Sequence, residues 1–136
     1  MRVLVDTCVI LDALQDRHPF AQDARAIFLA VANRAFVGCI AAKAVTDIHY
    51  ITRRLLHSEE KTRIILRKLF SLFDVVDTLG LDCIQAELSR MPDYEDAVMS
   101  ETAHRISADY IVTRNLRDYS KSKVPVLSPP ELLRLL

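Results

Sequence analysis

Arg2-Val3-Leu4-Val5-Asp6 places three consecutive apolar side chains directly ahead of a carboxylate. Successive strand residues point to opposite faces, so a run apolar at every position is buried on both, which is the pattern of a central parallel strand covered by helices on each side. The strand is expected to end at Asp6. Further apolar, partly β-branched runs occur at Phe36 to Ile40, Phe73 to Val76, Tyr110 to Thr113 and Val124 to Leu127. Helical patterns lie between them. The spacing of Ala44, Ile48, Ile51 and Leu55 predicts one apolar helix face. Ser58, followed by Glu59 and Glu60, reads as the N-cap of a helix carrying Ile65, Leu69 and Leu72. Pro19 is expected to open a helix running to about Ala32, and Pro129-Pro130-Glu131 a last one. The alternation predicts an α/β fold, a doubly wound α/β/α sandwich around a mostly parallel sheet. Pro125 predicts that its strand lies at an edge, because proline cannot donate to a ladder.

The 136 residues contain nothing that reads as a linker, so one domain spanning 1-136 is expected. An apolar run such as Ile27 to Ala32 falls far short of the roughly 20 residues that cross a bilayer. Three apolar residues between Arg2 and Asp6 are too few for a secretory signal, and a cytoplasmic location is expected. Cys8, Cys39 and Cys83 are odd in number and never form C-x-x-C, which argues against a disulfide framework and a thiolate zinc site. Two glycines exclude a Gly-rich phosphate loop. Eighteen basic residues balance eighteen acidic ones, so any attraction to nucleic acid must be local. Basic residues gather from Arg53 to Lys68 and again at Arg114, Arg117, Lys121 and Lys123; Asp93, Glu95 and Asp96 form an acidic group.

In open parallel sheets, ligands bind in the crevice beyond the carboxyl ends of the strands. Asp6 ends the first strand and Thr113-Arg114-Asn115-Leu116-Arg117-Asp118 follows another, which brings Asp6, Asn115 and Asp118 to one edge. Asp47 borders the apolar face of its helix. Asp96 heads a stripe with Ser100, Ala103 and Ser107 whose small residues permit close approach to the sheet, and Asp93 is placed to cap that helix. A phosphodiester needs its attacking water activated and its leaving oxygen stabilised; hard divalent cations held by carboxylates do both. Aspartate oxygens suit Mg2+ or Mn2+, whereas His18, His49, His57 and His104 show no paired ligand spacing.

At these positions the sequence resembles the PIN-domain family, and within it the subgroup related to VapC-type toxins of bacterial toxin–antitoxin pairs. Val3 to Asp12 is similar to the opening strand-and-turn motif, Thr46-Asp47-Ile48 to the second acidic position, Tyr94-Glu95-Asp96-Ala97 to the third, and Ile111 to Tyr119 to the closing motif. The resemblance covers nearly the whole chain. It implies a five-stranded parallel sheet, dependence on Mg2+ or Mn2+, and cleavage of RNA. Two positions depart from the family pattern: Cys8 stands where asparagine is usual, and Asp47 where many relatives carry glutamate.

The expected protein is therefore a metal-dependent endoribonuclease, the toxin of a toxin–antitoxin pair. Asp6 and Asp96 would be the principal metal ligands, and Asp118 and Asp47 would complete the catalytic set directly or through water. Thr7, Asp93 and Glu95 would support them, Thr113 and Asn115 would orient a ligand or phosphate, and Arg114 and Arg117 would contact RNA phosphates. A homodimer and a small antitoxin partner are expected, with Tyr50, Leu56 and the closing Leu132 to Leu136 segment as apolar contact surface. Two other classes compete with this one. A phospho-acceptor receiver domain needs a strand-borne lysine that Val124 to Leu127 lacks, and a non-catalytic RNA-binding or protein-interaction module would use the acids for stability alone.

Overall fold

The computed structural model describes residues 1–136. The chain runs β1 (Arg2–Val5), α1 (Thr7–Leu14), α2 (Ala21–Ala32), β2 (Val37–Ala41), α3 (Ala42–Leu56), α4 (Glu59–Leu72), β3 (Asp74–Val76), α5 (Gly80–Glu87), α6 (Tyr94–Arg105), β4 (Tyr110–Val112), β5 (Val126–Leu127) and α7 (Pro129–Leu135). Its five strands form one sheet in the order β3-β2-β1-β4-β5, parallel at every pairing. β1 is central, with Val3 opposite Gly38 on one side and Tyr110 on the other. β5 is an edge strand that begins directly after Pro125, whose carbonyl accepts the Ile111 N–H at 3.0 Å.

Val3, Leu4 and Val5 are all fully buried, and the pleat divides them between two cores. Val3 and Val5 join Ile40 and Val112 against Val9, Ile10, Ile27, Ile48 and Leu69 of the first four helices, with Leu132 of α7. Leu4 joins Cys39 and Ile111 against Met99 and Ala103 of α6 on the opposite face. Burying each such side chain stabilises the fold by about 1.5–3 kcal/mol, so β1 alone ties the two helical layers together. The helices between β1 and β3 lie on one face and those between β3 and β4 on the other, because the chain reverses its direction across the sheet while keeping right-handed crossovers.

α6 lies between the sheet and α5, which packs on it through Ala86, Ala97 and Val98. Every residue from Ala97 to Ala103 is buried, and the polar ones are paired: Ser100 with Ser122 at 2.9 Å, Glu101 with Lys123 at 2.9 Å, and Thr102 with Asp82 at 2.8 Å. Three expectations need correction. The buried face of α3 is Ala44, Ile48 and Thr52, while Leu55 is 58% exposed. The second half of that helix meets the first turn of α4, where Glu59 pairs with His49 at 2.9 Å and Arg53 at 3.6 Å, and Leu55 is left outside. α2 begins at Ala21 and not at Pro19. Ser107 lies beyond α6, exposed, in left-handed backbone with φ 55°. No helix is long and apolar enough to cross a membrane.

Gly38 of β2 permits the closest packing on the first face. A Cβ there would lie 2.7 Å from Cδ1 of Phe73 and 2.8 Å from Cγ2 of Val31, and both neighbours are buried. Gly38→Ala is therefore expected to destabilise the fold by about 1–3 kcal/mol through overpacking, measured as a lowered urea midpoint. An unchanged midpoint would mean that Phe73 moves aside freely.

Candidate functional site

The chain leaves β1 toward β2 and later returns to β4 on its other side, so a crevice opens between the carboxyl ends of β1 and β4. Asp6 and Thr113 are the first residues beyond those two ends. Asp6 has extended backbone and caps α1, its Oδ1 accepting the Thr7 N–H at 2.8 Å. Its Oδ2 accepts the Thr113 hydroxyl at 2.7 Å and faces the Cys8 thiol at 3.5 Å. The Asp6 N–H donates to the Val112 carbonyl at 3.0 Å, and the Asn115 N–H to the Thr113 hydroxyl at 3.0 Å, so the end of β4 is folded over the carboxylate. Asp6 is 6% exposed. Burial raises its pKa, opposed by the hydrogen bonds from Thr113, Thr7 and Cys8 and by the charge of Lys43.

Cys8, in the first turn of α1, is half-buried beside Asp6. Burial, and then the Asp6 charge, push the thiol up to about 11, so it keeps its proton and serves as a donor. Its sulfur lies 3.6 Å from the Thr113 hydroxyl as well.

α6 delivers Asp96. Asp93 caps the helix by accepting the Asp96 N–H at 2.9 Å, which fixes the backbone of the first turn. Asp96 is half-buried and its carboxyl is pushed up to about 7, first by burial and then by the charges of Asp6, Asp93 and Asp118. Asp6, Asp93 and Asp118 thus lie within electrostatic reach of Asp96. The Tyr119 hydroxyl, also beside Asp96, acts in the opposite direction. Glu95 points outward and pairs with Lys43 at 2.9 Å, joining α6 to the first turn of α3.

Other expected residues lie apart. Asp47 is exposed on α3, and no hydrogen bond or ion pair holds its side chain. Arg114 is engaged inside the fold: Nε and Nη2 donate to the two oxygens of Asp12 at 2.5 and 3.1 Å, and the guanidinium stacks 4.1 Å from the centre of the Phe20 ring. Arg117 and Asn115 are exposed. Of the two arginines, then, Arg117 is the one free to meet a phosphate. Cys8, Lys43 and Tyr119 are the residues that spacing alone did not single out for the site; Tyr119 follows Asp118 directly, and Lys43 stands one turn before Asp47.

No group of three histidine, cysteine or acidic side chains is already gathered to hold a metal ion. The donor chemistry nevertheless fits a hard divalent cation. All the candidate ligands offer oxygen; burial raises Asp6, and burial with acidic neighbours raises Asp96, costs of holding a carboxylate charge that a divalent cation offsets.

A family model described as PIN domain matches residues 2–117. No curated protein matches the chain. Among solved structures it is similar to VapBC2 from Rickettsia felis bound to a DNA fragment from its promoter, at 14% identity and a TM-score of 0.68, covering 94% of this chain and 98% of that one. It is also similar to DNA-bound VapBC from Salmonella typhimurium, at 20% identity and a TM-score of 0.67, covering 95% and 98%. A toxin–antitoxin complex from Klebsiella pneumoniae is similar at 20% identity and a TM-score of 0.66, covering 93% and 97%. At these identities the likeness is one of fold.

Two predictions follow from the geometry. An unfolded aspartate titrates near ~3.9, whereas Asp96 titrates at about 7 in the folded chain. Between those values the folded chain holds the extra proton, so cation-free stability should fall as pH rises through that window. Urea unfolding of Asp96→Asn should show a shallower fall and a higher midpoint at neutral pH; a pH profile identical to wild type would contradict the crowding. Arg114→Ala should cost about 3 kcal/mol, because Asp12, 1% exposed, would be left with Arg17 at 3.8 Å as its remaining cation. Denaturation of the purified variant checks this, and a loss within error of zero would make the pair dispensable.

Proposed function

The chain belongs to the PIN-domain family, and from that premise we propose that it is a Mg2+- or Mn2+-dependent endoribonuclease, acting in the cytoplasm as the toxin of a toxin–antitoxin pair. The observation that carries this reading is the reach of the Asp6 and Asp118 charges to Asp96, whose carboxyl is pushed up to about 7 by burial and by its acidic neighbours. Asp6 and Asp96 would hold the cation, with Asp118 beside them and Asp47 acting through water from α3. A divalent cation at such a site neutralises the phosphate, activates the attacking water and stabilises the leaving oxygen.

The chain's own residues prepare that centre. Thr7, Cys8 and Thr113 fix the two oxygens of Asp6. Asp93 fixes the first turn of α6 and so the backbone of Asp96. Lys43 pairs with Glu95 and so joins the first turn of α6 to that of α3. Asn115 at the rim is placed to orient a phosphate, and Arg117 to attract the flanking backbone, a local charge that matters because the chain carries none overall. The toxin–antitoxin complex among the similar structures supports a small protein partner. Tyr50, 60% exposed, and Leu135 and Leu136, 56% and 50% exposed, offer apolar surface on α3 and at the C-terminus for that partner or for a second copy in a homodimer.

Asp6→Asn and Asp96→Asn should each abolish cleavage of a labelled single-stranded RNA in Mg2+ buffer while preserving the circular dichroism of the fold. Wild-type cleavage by either variant would overturn the assignment. Asp47→Ala should lose less activity than Asp6→Asn and recover in part at raised Mn2+; an equal loss without rescue would make Asp47 a direct ligand. Arg117→Ala should weaken RNA binding measured in Ca2+ and flatten its salt dependence, each phosphate contact adding roughly one to the slope.

A further inference from the structure

The hydrogen bonds around the acidic centre leave one donor and one acceptor unmatched. Asp6 has three donors on its carboxylate, whereas no hydrogen bond of normal length and angle ends on the side chain of Asp96, whose backbone alone is fixed by Asp93. Tyr119 is 2% exposed, and its hydroxyl is buried with no hydrogen-bond partner. A buried hydroxyl left unpaired is costly and rare, and calls for a reason. The phenol ring is held by the second core among Leu4, Met99, Ile111 and Val124, so its direction is set by packing and not by the hydroxyl. That direction carries the oxygen to Asp96 and into the field of Asp6.

We propose that Tyr119 is a positioning residue of the acidic centre: its buried hydroxyl is aimed to donate to the Asp96 carboxylate and to set its orientation toward Asp6 when a divalent cation joins the two. The inference rests on the reading of Asp6 and Asp96 as ligands. Were a cation held there, the ionised Asp96 carboxylate would need a donor, and the Tyr119 hydroxyl beside it would supply one. Outer partners of this kind orient ligands, and losing one lowers metal affinity by about 10–100-fold.

Tyr119→Phe removes the hydroxyl and keeps the ring. Calorimetric titration of the full chain with Mn2+ should show affinity weakened by about tenfold or more, while the cation-free thermal midpoint equals or exceeds that of wild type because an unpaired buried hydroxyl is gone. The chain has four tyrosines and no tryptophan, so Mg2+ should also produce a tyrosine difference spectrum in the wild type that the variant lacks. Mn2+ affinity equal to wild type in the folded variant would overturn the proposal. Should the variant fail to fold, the wild-type spectrum decides, and its absence on saturation with Mg2+ would overturn the proposal equally. Asp6→Asn separates the two levels: if it binds Mn2+ like wild type the ligand reading itself fails, whereas if it loses binding and Tyr119→Phe does not, the positioning role alone fails.

Discussion

The carboxylate of Asp6 is held where the two halves of the sheet part, between the N-terminus of α1 and the end of β4. Placing an ionisable group there, 6% exposed, costs desolvation that the hydrogen bonds from Thr7, Thr113 and Cys8 offset only in part. The placement is possible because β1 is clamped from both faces, with Val3 and Val5 in one core and Leu4 in the other. β1 thus fixes the fold and the position of its terminal acid by the same packing. Neither layer of helices could be removed without freeing the strand on which the site is built.

The other buried acids show what a structural carboxylate looks like in this fold. Asp82 is 2% exposed, and its burial would raise its pKa, yet Arg105, the Leu79 N–H and Thr102 together hold it below the ordinary carboxylate range. That cluster pins α5 to α6. Asp12 has the fork of Arg114, which ties α1 to the loop after β4, and Glu101 has Lys123, which ties α6 to the segment before β5. Asp6 and Asp96 have no such cation in contact, and both are displaced upward. The division between acids matched by a base and acids left facing one another separates scaffold from site, and it gives the reading of a cation-binding centre a physical basis independent of family likeness.

Much of this architecture was legible because the sheet is parallel and covered on both faces: Arg2 to Val5 is apolar throughout, and the remaining strands and most helices announce themselves by runs, caps and spacing. The parts that were not legible share a cause, which is contact between helices. α3 departs from its expected stripe after Ile48 because its second half meets α4 and not the sheet. α6 is buried from Ala97 to Ala103, so no single stripe describes it, and α5 covers it with a short segment of weak pattern. At the site, Asp6, Asp96 and Asp118 were suggested by strand ends and helix spacing. The pairing of Arg114 with Asp12 was not, because it joins residues 102 positions apart in the sequence. Tyr119 was hidden for a different reason: an aromatic residue after a strand reads as core, and only the structure shows its hydroxyl without a partner beside Asp96.

The central claim is that the Asp6 and Asp96 carboxylates together bind a divalent cation. Anomalous scattering from crystals of the full chain soaked in Mn2+ tests it most directly. The account predicts a peak bridging the Asp6 and Asp96 oxygens in the crevice between β1 and β4, at ligand distances of about 2.0–2.3 Å, and its loss in crystals of Asp6→Asn. A saturating soak that leaves this crevice without a peak, or places the ion only elsewhere on the surface, would contradict it.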